Sequence, residues 1–236
     1  MTGSVAIVSV FVSDSMNKWD KASVDEYMQV LKKAVDFIMT NGGRETGLVI
    51  PLTLFYACDI DYLASIDCNY NTCRSKQKTL RNDVLHKLGY QSVCDLRSDV
   101  MKNNPNITSV AVLFVLNESA RSFAMCTSGR KSAISTRRAF VDSGEYAFIF
   151  FRSHSHIVYT LCHEIFHLYG AIDYYYPSAV KMEAERHFPN SIMLGYRDKP
   201  IIDDLTRFLL GWKNSLSTDS LAFLSGTLCT RRRDIN

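Results

Sequence analysis

Five residues between positions 163 and 173 could do chemistry together: His163, Glu164, His167, Gly170 and Asp173. Two histidines four apart on an α-helix differ in direction by about 40° and stand one turn apart on the same face. Two imidazoles placed that way can share one tetrahedral Zn²⁺. Glu164 follows the first histidine and reaches past the metal toward a water beside it, which makes it the candidate general base. Gly170 stands where a helix can end in a left-handed turn that glycine adopts cheaply. A chain that turns there swings Asp173, a hard oxygen ligand, back toward the histidines. The competing reading is a buried helix whose two histidines are satisfied by hydrogen bonds. It leaves the apolar lead-in, the glycine and the carboxylate as unrelated coincidences.

The run His163-Glu164-Ile165-Phe166-His167-Leu168-Tyr169-Gly170-Ala171-Ile172-Asp173 has the form H-E-x-x-H-x-x-G-x-x-D. It resembles the zinc signature of the metzincin metallopeptidases. With Asp at the last position it is similar to the small bacterial enzymes of the snapalysin type. Ser191-Ile192-Met193 resembles the methionine turn of that clan. The resemblance covers residues 155–195 and is architectural elsewhere. It implies a metzincin-like zincin of the α/β (α+β) class. Such a fold has a twisted mixed sheet, an active-site helix carrying HExxH and a C-terminal helix after the Met-turn. It implies a Zn²⁺ cofactor held by His163, His167 and Asp173, with Met193 as an apolar floor that does not touch the metal. Several metzincins carry a tyrosine two residues after the Met-turn methionine that helps hold the transition state. Here Tyr196 comes three after Met193 and position 195 is Gly, a departure from that pattern.

The implied function is a zinc-dependent endopeptidase acting on a peptide or protein substrate, with no covalent enzyme intermediate. Two alternatives stand beside it: a catalytically silent zinc fold used for binding, and a zinc hydrolase acting on a non-peptide amide or ester. Glu164 weighs against the silent fold, because a binding module needs no base beside the metal. The third ligand also has an alternative. If the helix continued past Gly170, Asp173 would face the wrong way, and Glu183 or Glu185 on a following helix would have to serve. Gly170 and Met193 favour Asp173. Tyr174-Tyr175-Tyr176-Pro177 reads either as an aromatic surface turn or as a cleft wall with a phenol near the metal.

The rest of the composition is ordinary. The chain has 236 residues, 47% hydrophobic and 22% charged, with a net charge of +3. That is a globular composition, too weakly basic to argue for nucleic acid. Arg231-Arg232-Arg233 reads as a solvated tail. No apolar run reaches the length of a membrane span. The first residues lack the features of a signal peptide, whereas the resemblance favours a secreted or exported enzyme. Seven cysteines are present, four of them (Cys58, Cys68, Cys73 and Cys94) close together. They read as a small disulfide framework outside the cell or as free thiols inside it. Cys162 reads as a core thiol. His156 reads as a capping or core histidine, His187 as a loop residue and His86 as lying on an exposed helix face.

The elements that must position the motif read as one domain over 1–236, with a Cys-rich insertion at about 58–106. A strand is expected over 4–12. A helix follows with a capping box at Ser23–Glu26, an apolar stripe of Tyr27, Leu31, Ala34 and Ile38, and a stop at Asn41-Gly42-Gly43. The next strand, 48–57, contains Pro51, which suggests an edge or a bulge. Helices are expected near 74–88 and 92–103 and strands over 107–116, 123–127 and 145–151, with a basic loop at 129–138. The active helix begins near Ser155, and a closing helix covers 201–212.

Overall fold

Two strands are apolar along nearly their whole length, and the architecture follows from covering both of their faces. β1 (Ser4–Ser13) and β3 (Ser109–Leu116) are buried at every position but Ser4. Strands of that kind belong inside parallel sheets covered on two sides. The computed structural model describes residues 1–13, 17–59, 73–125, 144–152, 156–195 and 197–233. Its five-stranded sheet has the order β2-β1-β3-β5-β4, with β2 (Val49–Asp59), β4 (Phe123–Met125) and β5 (Tyr146–Phe150). β2, β1, β3 and β5 are parallel, and β4 runs antiparallel to β5 at one edge. With seven α-helices among the described residues, the class is mixed α/β.

Alternate residues of each strand supply two separate cores. Ile7 and Phe11, Leu113 and Val115, and Ala147 and Ile149 face α1 (Lys21–Thr46) and α4 (Ile157–His167). Their neighbours Val8 and Val10, Val112 and Phe114, and Phe148 and Phe150 face the opposite side. There α2 (Cys73–Lys87) and α3 (Val93–Asn103) deliver Leu80, Val84, Leu85, Leu96 and Val100. The segment expected as an insertion therefore supplies the cover for one whole face of the sheet. β2 lies at the edge away from β4. Its register against β1 slips between Ser4–Val49 and Ala6–Leu52, which accommodates one extra residue beside Pro51. Proline lacks the N–H that a central strand would use, so edge and bulge together suit it.

Several expected boundaries differ. The first helix starts at Lys21, and its N-cap is Asp20, whose carboxylate accepts from the Ser23 N–H at 2.7 Å. Ser23 lies inside the first turn, and its hydroxyl accepts from Arg152 at 2.8 Å instead. The stripe of Tyr27, Leu31, Ala34 and Ile38 is buried as expected. The helix passes Asn41-Gly42-Gly43 and ends at Gly47, whose φ of 62° is left-handed. Gly42 allows a close approach rather than a stop: a Cβ there would lie 2.6 Å from the Trp212 indole.

The closing helix is shorter than expected. α6 spans Asp204–Leu209, because Asp203 caps it and Gly211 turns the chain at φ 78°. Two helices escape the sequence pattern, α5 (Ser178–His187) and α7 (Thr218–Arg233). α5 buries only Val180 and Ala184, too few apolar positions to form a stripe. His187 is consequently the last residue of α5 and not a loop residue. His86 is exposed on α2 as expected, and among the described residues no helix is long and apolar enough to cross a membrane. Cys58 and Cys162 are buried thiols, and Cys162 Sγ lies 3.6 Å from the Ala34 carbonyl oxygen. Cys68 and Cys126, the basic loop 129–138 and His154 fall outside the described residues.

Gly42→Ala sets two effects against each other. Alanine is the better helix former by about 1 kcal/mol, but a Cβ 2.6 Å from ring carbons must push α1 and Trp212 apart. Overpacking of that kind costs about 1–3 kcal/mol. The expected result is a lower urea midpoint, with a net loss of up to about 2 kcal/mol. A raised midpoint would show that α1 and Trp212 are not in close contact.

Candidate metal centre

β5 feeds the chain into α4, and α4 carries His163, Glu164 and His167 on the side that meets β4 and the 3₁₀ turn Ile192–Leu194. Eleven residues long and strongly apolar, α4 buries Leu161, Cys162, Ile165 and Phe166 in the core. That burial fixes its rotation and leaves the two histidines on the remaining face.

The helix ends in a Schellman turn. Ala171 N–H donates to Phe166 O at 3.1 Å, and Gly170 N–H donates to His167 O at 3.1 Å. Gly170 has φ 99°, the left-handed region in which glycine is favoured. The reversed chain returns Asp173 to the histidines. Its Oδ1 lies 2.9 Å from His167 Nε2 and 3.2 Å from His163 Nε2, and the two Nε2 atoms are 3.0 Å apart. The residues of the sequence alternative for this position have other partners. Glu183 pairs with Arg186 and His187, and Glu185 with Lys181 and Arg197, on the partly exposed surface of α5.

The hydrogen bonds of the two rings determine what this triangle can hold. His163 Nδ1 faces the Ile192 carbonyl oxygen at 2.9 Å, and His167 Nδ1 faces the Ala171 carbonyl oxygen at 2.8 Å. A carbonyl only accepts, so each Nδ1 carries a proton and donates it. In the neutral rings, both Nε2 atoms then present lone pairs to one another and to a carboxylate oxygen. One added proton relieves one of the three contacts. A single divalent cation satisfies all three. Three ligands at zinc distances and tetrahedral angles stand about 3.3–3.4 Å apart, a few tenths of an ångström wider than the triangle here. The outward Nδ1–H···O=C bonds are the arrangement that orients a metal-binding imidazole. His163, His167 and Asp173 therefore fit a divalent metal as a donor set.

Glu164 stands beside the triangle. The ligand atoms of His163, Glu164 and His167 lie within 4.8 Å of one another, looser than the contacts that Asp173 makes. The Ala124 N–H of β4 hydrogen-bonds to its carboxylate, while Oε2 is buried without a hydrogen-bond partner among the described residues. Burial pushes the Glu164 carboxyl up to about 7, against the lowering influence of His163 and Arg121. Burial also acts to raise Asp173, but the His167 and His163 rings beside it outweigh that and hold it well below the usual carboxylate range.

Two further residues belong to the site. Tyr175, within the aromatic run read as a cleft wall, stacks on the His163 ring with centroids 6.2 Å apart. Burial raises its phenol, and Asp173, to which it hydrogen-bonds, raises it further, so the hydroxyl keeps its proton at neutral pH. Arg121 donates to the Tyr175 hydroxyl oxygen at 2.7 Å and lies over its ring. Nothing in the sequence marks Arg121, because its link to the motif is the pairing of β4 with β5. Met193 is fully buried in the 3₁₀ turn Ile192–Leu194 that meets α4. Tyr196 lies outside the described residues. His156 caps α4 by position, but its side chain makes no capping hydrogen bond.

No protein-family model matches this chain, and no curated protein matches it.

Asp173→Ala and Glu185→Ala separate the two candidate third ligands. Removing Asp173 is expected to weaken Zn²⁺ binding by 10²-fold or more in calorimetric titration, as an order of magnitude for a lost ligand. Glu185→Ala is expected to match the parent. The reverse result would transfer the third ligand to α5.

Proposed function

We propose that this chain is a zinc-dependent endopeptidase of the metzincin type. The observation that carries the reading is the convergence of His163 Nε2, His167 Nε2 and Asp173 Oδ1, with both Nδ1 atoms committed to carbonyl oxygens. When bound, zinc would polarise a substrate carbonyl and make a neighbouring water acidic near neutral pH. The protein would contribute the remaining steps through its own residues. Glu164 Oε2, buried and with no hydrogen-bond partner among the described residues, would take the proton of the attacking water and return it to the leaving amine. The Ala124 N–H holds the other side of that carboxylate in place. The Arg121 guanidinium, and the Tyr175 phenol once its one proton turns from Asp173, would meet the negative charge that develops on the carbonyl oxygen.

A peptide suits this site because of β4. It is an edge strand whose strand partner among the described residues is β5, and its central residue already touches the base. An extended backbone laid along such an edge is held by main-chain hydrogen bonds. The overall arrangement also agrees with a metzincin-like zincin. A mixed sheet leads into the HExxH helix, a buried Met-turn follows, and helices close the chain.

The zinc-loaded protein is expected to cut an unstructured peptide library, with activity lost to a chelator and regained on adding Zn²⁺. Hydrolysis of small esters or amides without cleavage of any peptide would replace the endopeptidase reading with the non-peptide one. Glu164→Gln keeps the side chain's shape but cannot accept the proton. It should retain zinc and thermal stability while kcat falls by at least ~10². Turnover at the parent rate would remove Glu164 from the mechanism. Tyr175→Phe, which deletes only the hydroxyl, should lower kcat by about 10²-fold with KM little changed.

A further inference from the structure

We propose that Asp203 is the positioning residue of the metal centre, tying the third ligand and the Met-turn into one ring of hydrogen bonds. The inference rests on the metal reading above. Asp203 is 6% exposed, and both of its oxygens are occupied. Oδ2 accepts from the Ser191 hydroxyl at 2.5 Å and from the Thr206 hydroxyl at 2.7 Å. Oδ1 accepts from Thr206 N–H at 3.0 Å and from the Tyr174 hydroxyl at 3.2 Å. A buried carboxylate is costly unless its lone pairs are filled, and here the groups that fill them come from three parts of the site.

The links close on themselves. Met193 N–H donates to Ser191 Oγ at 3.1 Å, and Ser191 passes its own proton to Asp203. Tyr174 N–H donates to Met193 O at 2.9 Å, and its phenol returns to Asp203. Tyr174 is the residue after Asp173, so the ring sets where Asp173 leaves the backbone. The same turn holds Ile192, whose carbonyl accepts from His163 Nδ1. Asp203 thus acts on two of the three candidate ligands without touching either. As N-cap of α6 it also fixes this ring to the last part of the fold.

Asparagine at this position matches the shape of aspartate but turns an acceptor into an N–H₂ donor. Ser191 and Thr206 would then face a donor with hydroxyl protons already pointed at it. The Ser191 hydroxyl must rotate, and the Met193 N–H and the turn are disturbed with it.

The test measures the Zn²⁺ Kd by competition with a chromophoric chelator, the absorption spectrum of the Co²⁺-loaded protein, and the unfolding temperature without metal. Asp203→Asn is expected to weaken zinc by about 10–100-fold, the size typical of an outer partner of a metal ligand, and to shift the Co²⁺ bands. Asp204→Asn, next door and exposed in a pair with Lys213, should leave both unchanged. If Asp203→Asn does not fold, Tyr174→Phe carries the test. It removes one hydroxyl from the ring and should weaken zinc by about 10-fold, the low end of that range. Variants that lose thermal stability yet keep the parent Kd and the parent Co²⁺ spectrum would reduce Asp203 to a structural role and overturn the inference. A parent protein that binds neither Zn²⁺ nor Co²⁺ would overturn the metal reading itself, and this inference with it.

Discussion

The site depends on one backbone reversal, the left-handed turn at Gly170. Without it α4 would carry on in its own direction, and Asp173 would leave on the far side from His167. With it, three things happen within a few residues. Ala171 presents its carbonyl to His167 Nδ1, Asp173 Oδ1 reaches both Nε2 atoms, and Tyr174 and Tyr175 diverge to opposite tasks. Tyr174 goes down into the core, fully buried against Phe188 and Phe223. Tyr175 stays beside His163 and meets Arg121. A β-carbon at position 170 would oppose the reversal, since only glycine takes φ near 99° at little cost.

A turn this tight holds a site only if the helix before it cannot shift. The two-sided sheet provides that. β3 and β5 are buried on both faces, so α4 rests on strands that have α2 and α3 behind them. Sliding α4 would open contacts at Leu161, Ile165 and Phe166, each fully buried. Close packing makes such displacements costly. Glu164 then inherits the same rigidity, because its carboxylate is pinned from the sheet side by the backbone of β4.

The parts of this arrangement that were legible in the sequence are those fixed by short-range geometry. The spacing of His163 and His167, the glycine after them and the carboxylate at Asp173 depend on helix pitch and one turn, so a string of residues suffices. Strands buried on both faces announce themselves by continuous apolar runs, and β1 and β3 were readable for that reason. Pro51 pointed to an edge or a bulge because its missing N–H leaves few alternatives, and the strand has both. Arg121 was not readable, since only strand pairing brings it to the site. Asp203 is the N-cap of α6, a place where local pattern alone accounts for an aspartate. Its role as acceptor for Ser191, Thr206 and Tyr174 depends on tertiary contacts that no local pattern encodes. α5 and α7 escaped because they bury few residues and are stabilised by each other and by Phe188 and Phe223, not by a long stripe. Asn41-Gly42-Gly43 misled because a glycine can be required for contact as well as for a turn.

The charges around the triangle complete the argument. Two carboxylates, Asp173 and Glu164, lie in the same small and largely buried volume, where Asp173 raises the proton affinity of Glu164 and both raise that of Tyr175. A folded protein seldom keeps such a pair without positive charge nearby, because burial disfavours the ionised form of both. Arg121 supplies one positive charge, and it faces Tyr175 from the solvent side. Protonated, donating histidine edges hold Asp173 ionised, whereas neutral rings, their Nδ1 protons spent on carbonyl oxygens, turn lone pairs toward it. What remains unbalanced is a point between three acceptor atoms, lined by a carboxylate that burial alone would protonate near neutrality. A divalent cation at that point would remove the repulsion in the triangle, offset the second carboxylate and return Glu164 to the ionised form that a base requires. The electrostatics of the folded chain and the spacing of its motif both support the proposed centre.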